Sequence, residues 1–228
     1  MELDLMDDLS ISWLPHSGHG KLIAVSGLDG SGKTTSVGMI MRYLEERNIE
    51  AVAVKFPSTE IRRLSYFTAY AMDHRAFEGG RGDLFSLCLV LDGDNLMTLR
   101  TKVLPCLMEG KVVVCDRFVY ESVAELFGHG ADPEDLRMMI AIYSRFPKPD
   151  LGFITDVSVT TSISRVASRP DEKDYKIRAR LWERFADGFR RVAKHNGLVA
   201  LPTTSLEETE RCIRRHMDGL FGERSISG

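Results

Sequence analysis

Short apolar runs alternate with longer amphipathic stretches along most of the 228 residues. Residues 22–26, 51–56, 111–115, 151–157 and 198–201 are apolar runs of strand length. Residues 35–47 place Val37, Ile40, Met41 and Leu44 at helical spacing, and residues 59–72 predict a second helix. Residues 75–82 hold three glycines among mixed charges and read as a loop. From residue 83 to about 109, the positions of Leu84, Leu87, Leu91, Leu96, Leu99, Val103 and Leu107 predict one long helix. Gly93 is a candidate kink in it, and Pro105 a candidate end or division. Residues 119–127 and 133–146 read as helices joined by a turn in which Asp132 is a candidate cap. Residues 147–149 are a rigid lead-in to the fourth strand, after which Ser158 caps a helix to about residue 167. Residues 168–176 are dense in charge, contain Pro170 and read as a mobile loop. Helices then cover 177–195, with Leu181, Phe185, Phe189 and Val192 as a core stripe, and 206–221.

Five strands alternating with helices imply an α/β fold: three layers around a central, mainly parallel five-stranded sheet. Ligands in such sheets bind beyond the carboxyl ends of the strands, at a topological switch point. Length and pattern divide the chain into an extension over 1–20, a single domain over 21–221 and a tail over 222–228. The extension is expected to be poorly ordered, with Trp13 and Leu14 as candidates to pack on the body.

Composition narrows the picture. At 43% hydrophobic the chain can build a proper core, and a net charge of −3 gives no push towards a nucleic acid polymer or an anionic membrane. No segment approaches a membrane span. The first twenty residues lack the basic start and apolar run of a secretory signal, and carry no Arg as a mitochondrial transit peptide would. Cys88, Cys106, Cys115 and Cys212 are widely spaced and read as free thiols, which fits a reducing, cytoplasmic compartment.

The candidate chemistry begins at Gly27-Leu28-Asp29-Gly30-Ser31-Gly32-Lys33-Thr34-Thr35, a complete G-x-x-x-x-G-K-[ST] phosphate loop between a strand and a helix. Its glycines let backbone N–H groups turn towards phosphate oxygens, and the helix N-terminus adds its dipole. Lys33 reaches the outer phosphates and the Thr34 hydroxyl is a ligand for Mg²⁺. The third apolar strand runs straight into Asp116-Arg117-Phe118. A carboxylate there either holds Mg²⁺ or its waters, or forms a structural pair with Arg117 that caps the next helix; position alone does not choose. Arg165, Arg169, Lys173 and Lys176 cluster around the charged loop, as a lid over a transferring phosphate or as a solvated surface. The chain has no Asn-Lys-x-Asp run, the guanine-reading element of a GTPase. Phe67, Phe85 and Phe118 are candidates to stack on a base.

Taken in order and spacing over residues 21–220, these motifs resemble the thymidylate kinase family of nucleoside monophosphate kinases. The likeness rests on the phosphate loop with its Asp29, on Lys55-Phe56-Pro57-Ser58-Thr59-Glu60, and on Met108 through Asp116-Arg117-Phe118 with Ser122 and Ala124. Pro147 to Val157, and Arg165, Arg169 and Tyr175 at the start of a lid over 168–177, complete it. The resemblance implies a P-loop kinase that transfers the γ-phosphoryl of ATP, with Mg²⁺, to a nucleoside 5′-monophosphate. It implies ATP contacts from Gly27, Asp29, Gly30, Ser31, Gly32, Lys33, Thr34, Thr35 and Arg165, and metal contacts from Thr34 and Asp116. It assigns catalysis to Lys33, Asp116, Arg117 and, since the phosphate loop has no Arg at its variable positions, Arg169 of the lid. The acceptor side falls to Asp29, Lys55, Phe56, Pro57, Arg62, Asp94, Asn95, Arg117 and Tyr175. Family members are commonly homodimers packed through helices like the long one here.

The departures are as specific as the matches. Ser26 stands where the family usually has Glu, and Ser58 and Thr59 where an Arg usually grips the acceptor phosphate, leaving Lys55 or Arg62 as substitutes. The aromatic and Arg that read thymine from the long helix are absent from residues 92–96, where Asp92, Asp94 and Asn95 become the candidates; Glu125 and Leu126 replace an aromatic and a polar residue. Exchanging a buried Arg for Asn or Asp exchanges donors for acceptors, which changes the base that is accepted. The sequence therefore predicts a kinase with an intact ATP half and a rewritten acceptor half. The alternatives are a dTMP kinase with other thymine contacts, a P-loop kinase of another metabolite, and a nucleotide-binding protein without transfer activity.

Overall fold

The computed structural model describes residues 9–15, 18–76, 81–170 and 176–222, the side chains of 81–83 excepted. Five strands, β1 (Leu22–Ser26), β2 (Ala51–Lys55), β3 (Val112–Asp116), β4 (Leu151–Asp156) and β5 (Val199–Pro202), form one sheet in the order β2-β3-β1-β4-β5. Every pairing is parallel. β1 and β3 are buried along their whole length, as apolar runs covered on both faces must be, and β2 and β5 are the half-exposed edges.

Side chains alternate between two cores. Leu22, Ala24, Val113 and Cys115 face one, which is covered by α4 (Arg81–Thr98), α6 (Tyr120–His129), α7 (Pro133–Tyr143) and α9 (Ala179–Asn196). Ile23, Val25, Val112 and Val114 face the other, under α1 (Lys33–Glu46) and α10 (Leu206–Phe221). The remaining helices are α2 (Thr59–Arg62), α3 (Ser65–Met72), α5 (Leu104–Met108) and α8 (Val159–Ala167). The expected three-layer α/β fold is present, with a wholly parallel sheet.

Three expectations change. The helix predicted over 59–72 is two helices, because Leu64 is extended and Arg62 folds back to donate to the carbonyls of Phe56 and Pro57, both at 3.0 Å. The long helix runs through Gly93 without a break but passes through a π-helical turn, Leu99–Val103, just before Pro105. Proline offers no N–H to the preceding turn, and Leu104 N bonds Leu99 O in the wider pattern. Residues 9–15, read as part of a loose extension, pack on the body instead. Leu9 and Ile11 are buried. Asn196 ties them down, accepting from Ile11 N at 3.1 Å and donating to Leu9 O at 2.9 Å. Trp13 stacks on Phe118 with ring centres 6.2 Å apart, immediately after Arg117.

β1 is followed by a connection to β2 on one side of the sheet, and β3 by a connection to β4 on the other. Their carboxyl ends therefore flank a switch point, and the register sets Val25 beside Asp116 and Asp116 beside Lys55.

Candidate active site

The phosphate loop follows β1 and feeds α1. Gly27 has φ +142° and lies so close to Thr155 that a Cβ there would come within 2.0 Å of its hydroxyl; Gly30, at φ +73°, would meet the Ser162 carbonyl at 2.4 Å. Glycine is required at both, by conformation and by close approach. Ser31 spends its hydroxyl on Thr155, at 2.5 Å, which pins the loop to β4 and leaves its backbone to face any ligand.

Lys33 is buried, and its ammonium donates to the carbonyls of Gly27 at 2.7 Å and Leu28 at 2.6 Å, with Asp29 Oδ1 at 3.5 Å. Burial, and next the nearby Arg117 charge, lower its pKa to about 8. Thr34 Oγ1 donates to Asp116 Oδ2 at 3.2 Å, and Lys55 Nζ lies 3.7 Å from the same oxygen. Arg117 pairs with Asp29. Burial alone would raise the Asp29 carboxyl, but Arg117 and Lys33 hold it far below the usual carboxylate range. Arg117 has φ +74°, a left-handed conformation that is costly for a long side chain. Its N–H bond to Val25 O at 2.9 Å and the Asp29 pair hold it there.

One cavity of about 280 Å³ joins these groups to an apolar recess. Lys33, Thr34, Lys55, Arg62, Asp116, Arg117 and Arg169 line its polar end, with Phe56 and Pro57 beside them. Phe67, Leu84, Leu87 and Leu91 line it too, together with Asn95, Ser122 and Glu125. A second recess of about 190 Å³ lies behind the loop, between Gly32, Thr35, Arg165, Thr203 and Leu206. Arg165 donates to Thr203 O at 2.9 Å and Gly30 O at 3.4 Å, and Arg169 borders both recesses.

Most of the predicted residues thus converge. Asp94 is an exception: it is not among the residues lining the cavity, and its two oxygens accept from Ser58 N and Ser58 Oγ, each at 2.7 Å. It braces the loop after Pro57. Asp92 is buried behind the wall, while Asn95 lines it. Tyr175 and Lys173 lie outside the described residues.

Sequence reasoning missed three groups. Glu121 lines the cavity, accepts from Ser26 Oγ at 2.9 Å and Phe118 N at 3.0 Å, and is raised by burial to about 6. Its place four residues after Arg117 on a predicted helix was the available signal. Tyr70 donates to Glu125 at 2.8 Å, and His74 packs edge-on against Tyr70 and Trp182. Nothing in the local pattern of residues 70–74 marks them.

The donor set at Thr34 and Asp116 is one hydroxyl and one carboxylate, 3.2 Å apart at the mouth of the phosphate loop. This fits Mg²⁺, which is bound by few protein oxygens and completes its shell with water and phosphate.

Comparison with known proteins agrees with this geometry. The thymidylate kinase family model matches residues 25–213. A probable thymidylate kinase of Pyrococcus horikoshii is 31% identical over 151 residues, covering 66% of this chain and 71% of the relative. The thymidylate kinase of Caldicellulosiruptor saccharolyticus is 30% identical over 216 residues, covering 90% and 99%. That of Carboxydothermus hydrogenoformans is 31% identical over 183 residues, covering 77% and 85%. With a phosphate loop, a strand-end Asp-Arg and an apolar recess on one cavity, and a family match over most of its length, the chain belongs to the thymidylate kinase family of nucleoside monophosphate kinases.

Proposed function

We propose that the chain transfers the γ-phosphoryl group of ATP to a nucleoside 5′-monophosphate through an acceptor-base site that departs from the thymidylate pattern. The observation that carries this reading is the single cavity running from Lys33 and Asp116 to the apolar wall of α4. In it, the loop backbone and Lys33 hold the donor phosphates, and Arg165 borders the recess for the donor base. Arg117, kept charged by Asp29 and Glu121, holds the acceptor phosphate, with Lys55 and Arg62 nearby. Asp29 faces the acceptor sugar and phosphate, and Phe56 and Pro57 form the floor beneath it. Arg169 supplies positive charge to the transferring group, where preorganised charge is worth most. Thr34 and Asp116 would hold Mg²⁺, which when bound would neutralise phosphate charge.

The test is ATP consumption against a panel of nucleoside monophosphates. At least one is turned over, and Lys33→Ala lowers kcat by about 100-fold or more. Retained activity in that variant, or no transfer to any nucleotide, refutes the reading. A second reading, transfer to dTMP with thymine held by other residues, is favoured by the names of the relatives.

We also propose a homodimer packed along α4, whose outer face exposes Leu89, Val90 and Met97; residues 171–175 of the lid expected over 168–177 lie outside the described residues. Among the described residues no helix is long and apolar enough to cross a membrane, and a cytoplasmic location is the reading that accords with the free cysteines.

A further inference from the structure

Residues 9–15 precede the stretch 25–213 that the family model matches, yet they are built into the body beside the candidate site. Leu9 and Ile11 are buried in the core, where Asn196, the last residue of α9, holds their backbone. Leu14 N donates to Phe146 O at 2.9 Å and fixes the other end. Between these anchors Trp13 lays its ring on Phe118. The two planes are 22° from parallel with centres 6.2 Å apart, and Trp13 meets Tyr120 edge-on at 5.7 Å.

Phe118 carries this contact to the cavity. It is 2% exposed, follows Arg117 directly and lines the cavity. Phe56 and Phe146 meet its ring at 87° and 89°, with centres 5.9 and 5.7 Å away. Stacked and edge-on ring pairs are both favourable beyond their burial, so Trp13, Phe118 and Phe56 make one aromatic series from the segment to the cavity wall. Arg117 needs such support, because its φ of +74° persists only where the surroundings over-determine it. On one side of that residue, the bond from Arg117 N to Val25 O and the Asp29 pair hold it. On the other, Glu121 receives the Phe118 N–H, and Trp13, Phe56 and Phe146 enclose the Phe118 ring. Phe56 and Phe146 lie within the stretch that the family model covers; Trp13 is added to the enclosure from outside it.

Resting on the reading of Arg117 as the group that holds the acceptor phosphate, we propose that Trp13 is a positioning residue. Through Phe118 it fixes Arg117 and Phe56, and so sets how tightly the acceptor nucleotide is held.

The test is steady-state kinetics of the full chain and of Trp13→Phe and Trp13→Leu, with ATP and, in turn, dTMP, dUMP, dCMP, dAMP and dGMP. For the acceptor that the wild-type chain turns over best, Trp13→Leu raises KM about tenfold and Trp13→Phe, which keeps a ring, about threefold, while the KM for ATP stays unchanged. Met217→Ala, in the core on the other face of the sheet, lowers Tm as much and leaves the acceptor KM unchanged. Combined with Phe118→Leu, Trp13→Leu adds little to the rise that Phe118→Leu causes alone. An unchanged acceptor KM in the Trp13 variants, an equal rise in the KM for ATP or in Met217→Ala, or independent effects in the double variant overturns the assignment. Where Trp13→Leu fails to fold, Trp13→Phe decides: a selective rise supports the brace and no change overturns it. Calorimetric binding of the same nucleotides separates this inference from the transfer reading. Binding that weakens in the Trp13 variants, without turnover in the wild-type chain, supports Trp13 and overturns transfer. Turnover with an acceptor KM indifferent to Trp13 overturns the brace and leaves transfer standing, and binding of none overturns both.

Discussion

Ser26 Oγ donates to Glu121 Oε2 at 2.9 Å, so the carboxylate beneath the phosphate loop comes from α6 and not from the end of β1. The family usually carries a Glu at position 26. Here a serine stands at that position and donates to Glu121, which also receives Phe118 N–H and lies 3.9 Å from Arg117 Nη1.

This arrangement predicts a compensated pair. Ser26→Glu alone crowds two carboxylates into one buried space and destabilises the chain by about 3–5 kcal/mol. Glu121→Ser alone leaves the Phe118 N–H unpaired, at a cost of about 1–3 kcal/mol. The double variant recovers most of the loss. A double-mutant cycle of unfolding free energies measures the coupling, and additive losses would mean that the two positions do not share one site.

Lys33 predicts a proton linked to nucleotide binding. Its ammonium titrates near pH 8 in the free chain, and a bound phosphate would raise that value by direct attraction. The complex then holds the proton more tightly, so ATP affinity is full below pH 8 and falls as the pH rises through it. Calorimetry at pH 8.5 in two buffers of different ionisation enthalpy should detect proton uptake; identical heats would remove Lys33 as the linked group.

Arg169 borders both recesses, as a residue acting on a transferring group between two nucleotides should. Arg169→Ala is expected to lower kcat by about 100-fold while changing the KM for ATP little. A raised KM with kcat unchanged would make it a binding residue only.

Asp92 predicts a pH-dependent stability. Burial raises its carboxyl from the ordinary 3.8 to about 7, against the lowering effect of Tyr143, Asn95 and Ser122. Between those values the folded chain binds a proton that the unfolded chain has released. The Asp92 contribution therefore makes stability fall as the pH rises from about 4 to 7, and levels off above. Asp92→Asn should narrow the difference in Tm between pH 5 and pH 8. An unchanged difference would mean that Asp92 keeps an ordinary pKa.

Much of the fold was legible because its signals are local. The apolar runs gave all five strands, the glycine spacing gave the phosphate loop, and Asp132, Ser158 and the bounds of α10 emerged as read. The break at Leu64 was not legible, because it depends on Arg62 reaching the carbonyls of Phe56 and Pro57. Nor was the docking of residues 9–15, which depends on an asparagine far along the chain.

The candidate site divides in the same way. Pattern and spacing alone dictated the order of strands and helices, the phosphate loop and the strand-end Asp116-Arg117, because each is written within a few consecutive residues. Packing decided which polar side chains share the cavity. Asp94 and Asn95 are adjacent, yet one braces Ser58 and the other lines the wall, since successive residues of a helix point about 100° apart. Ser26 meets Glu121 across β1 and α6, and Asn95 is held by a carboxylate that Tyr143 and Ser122 also bind. Such pairings join distant segments, and only the folded chain brings their atoms within hydrogen-bonding distance.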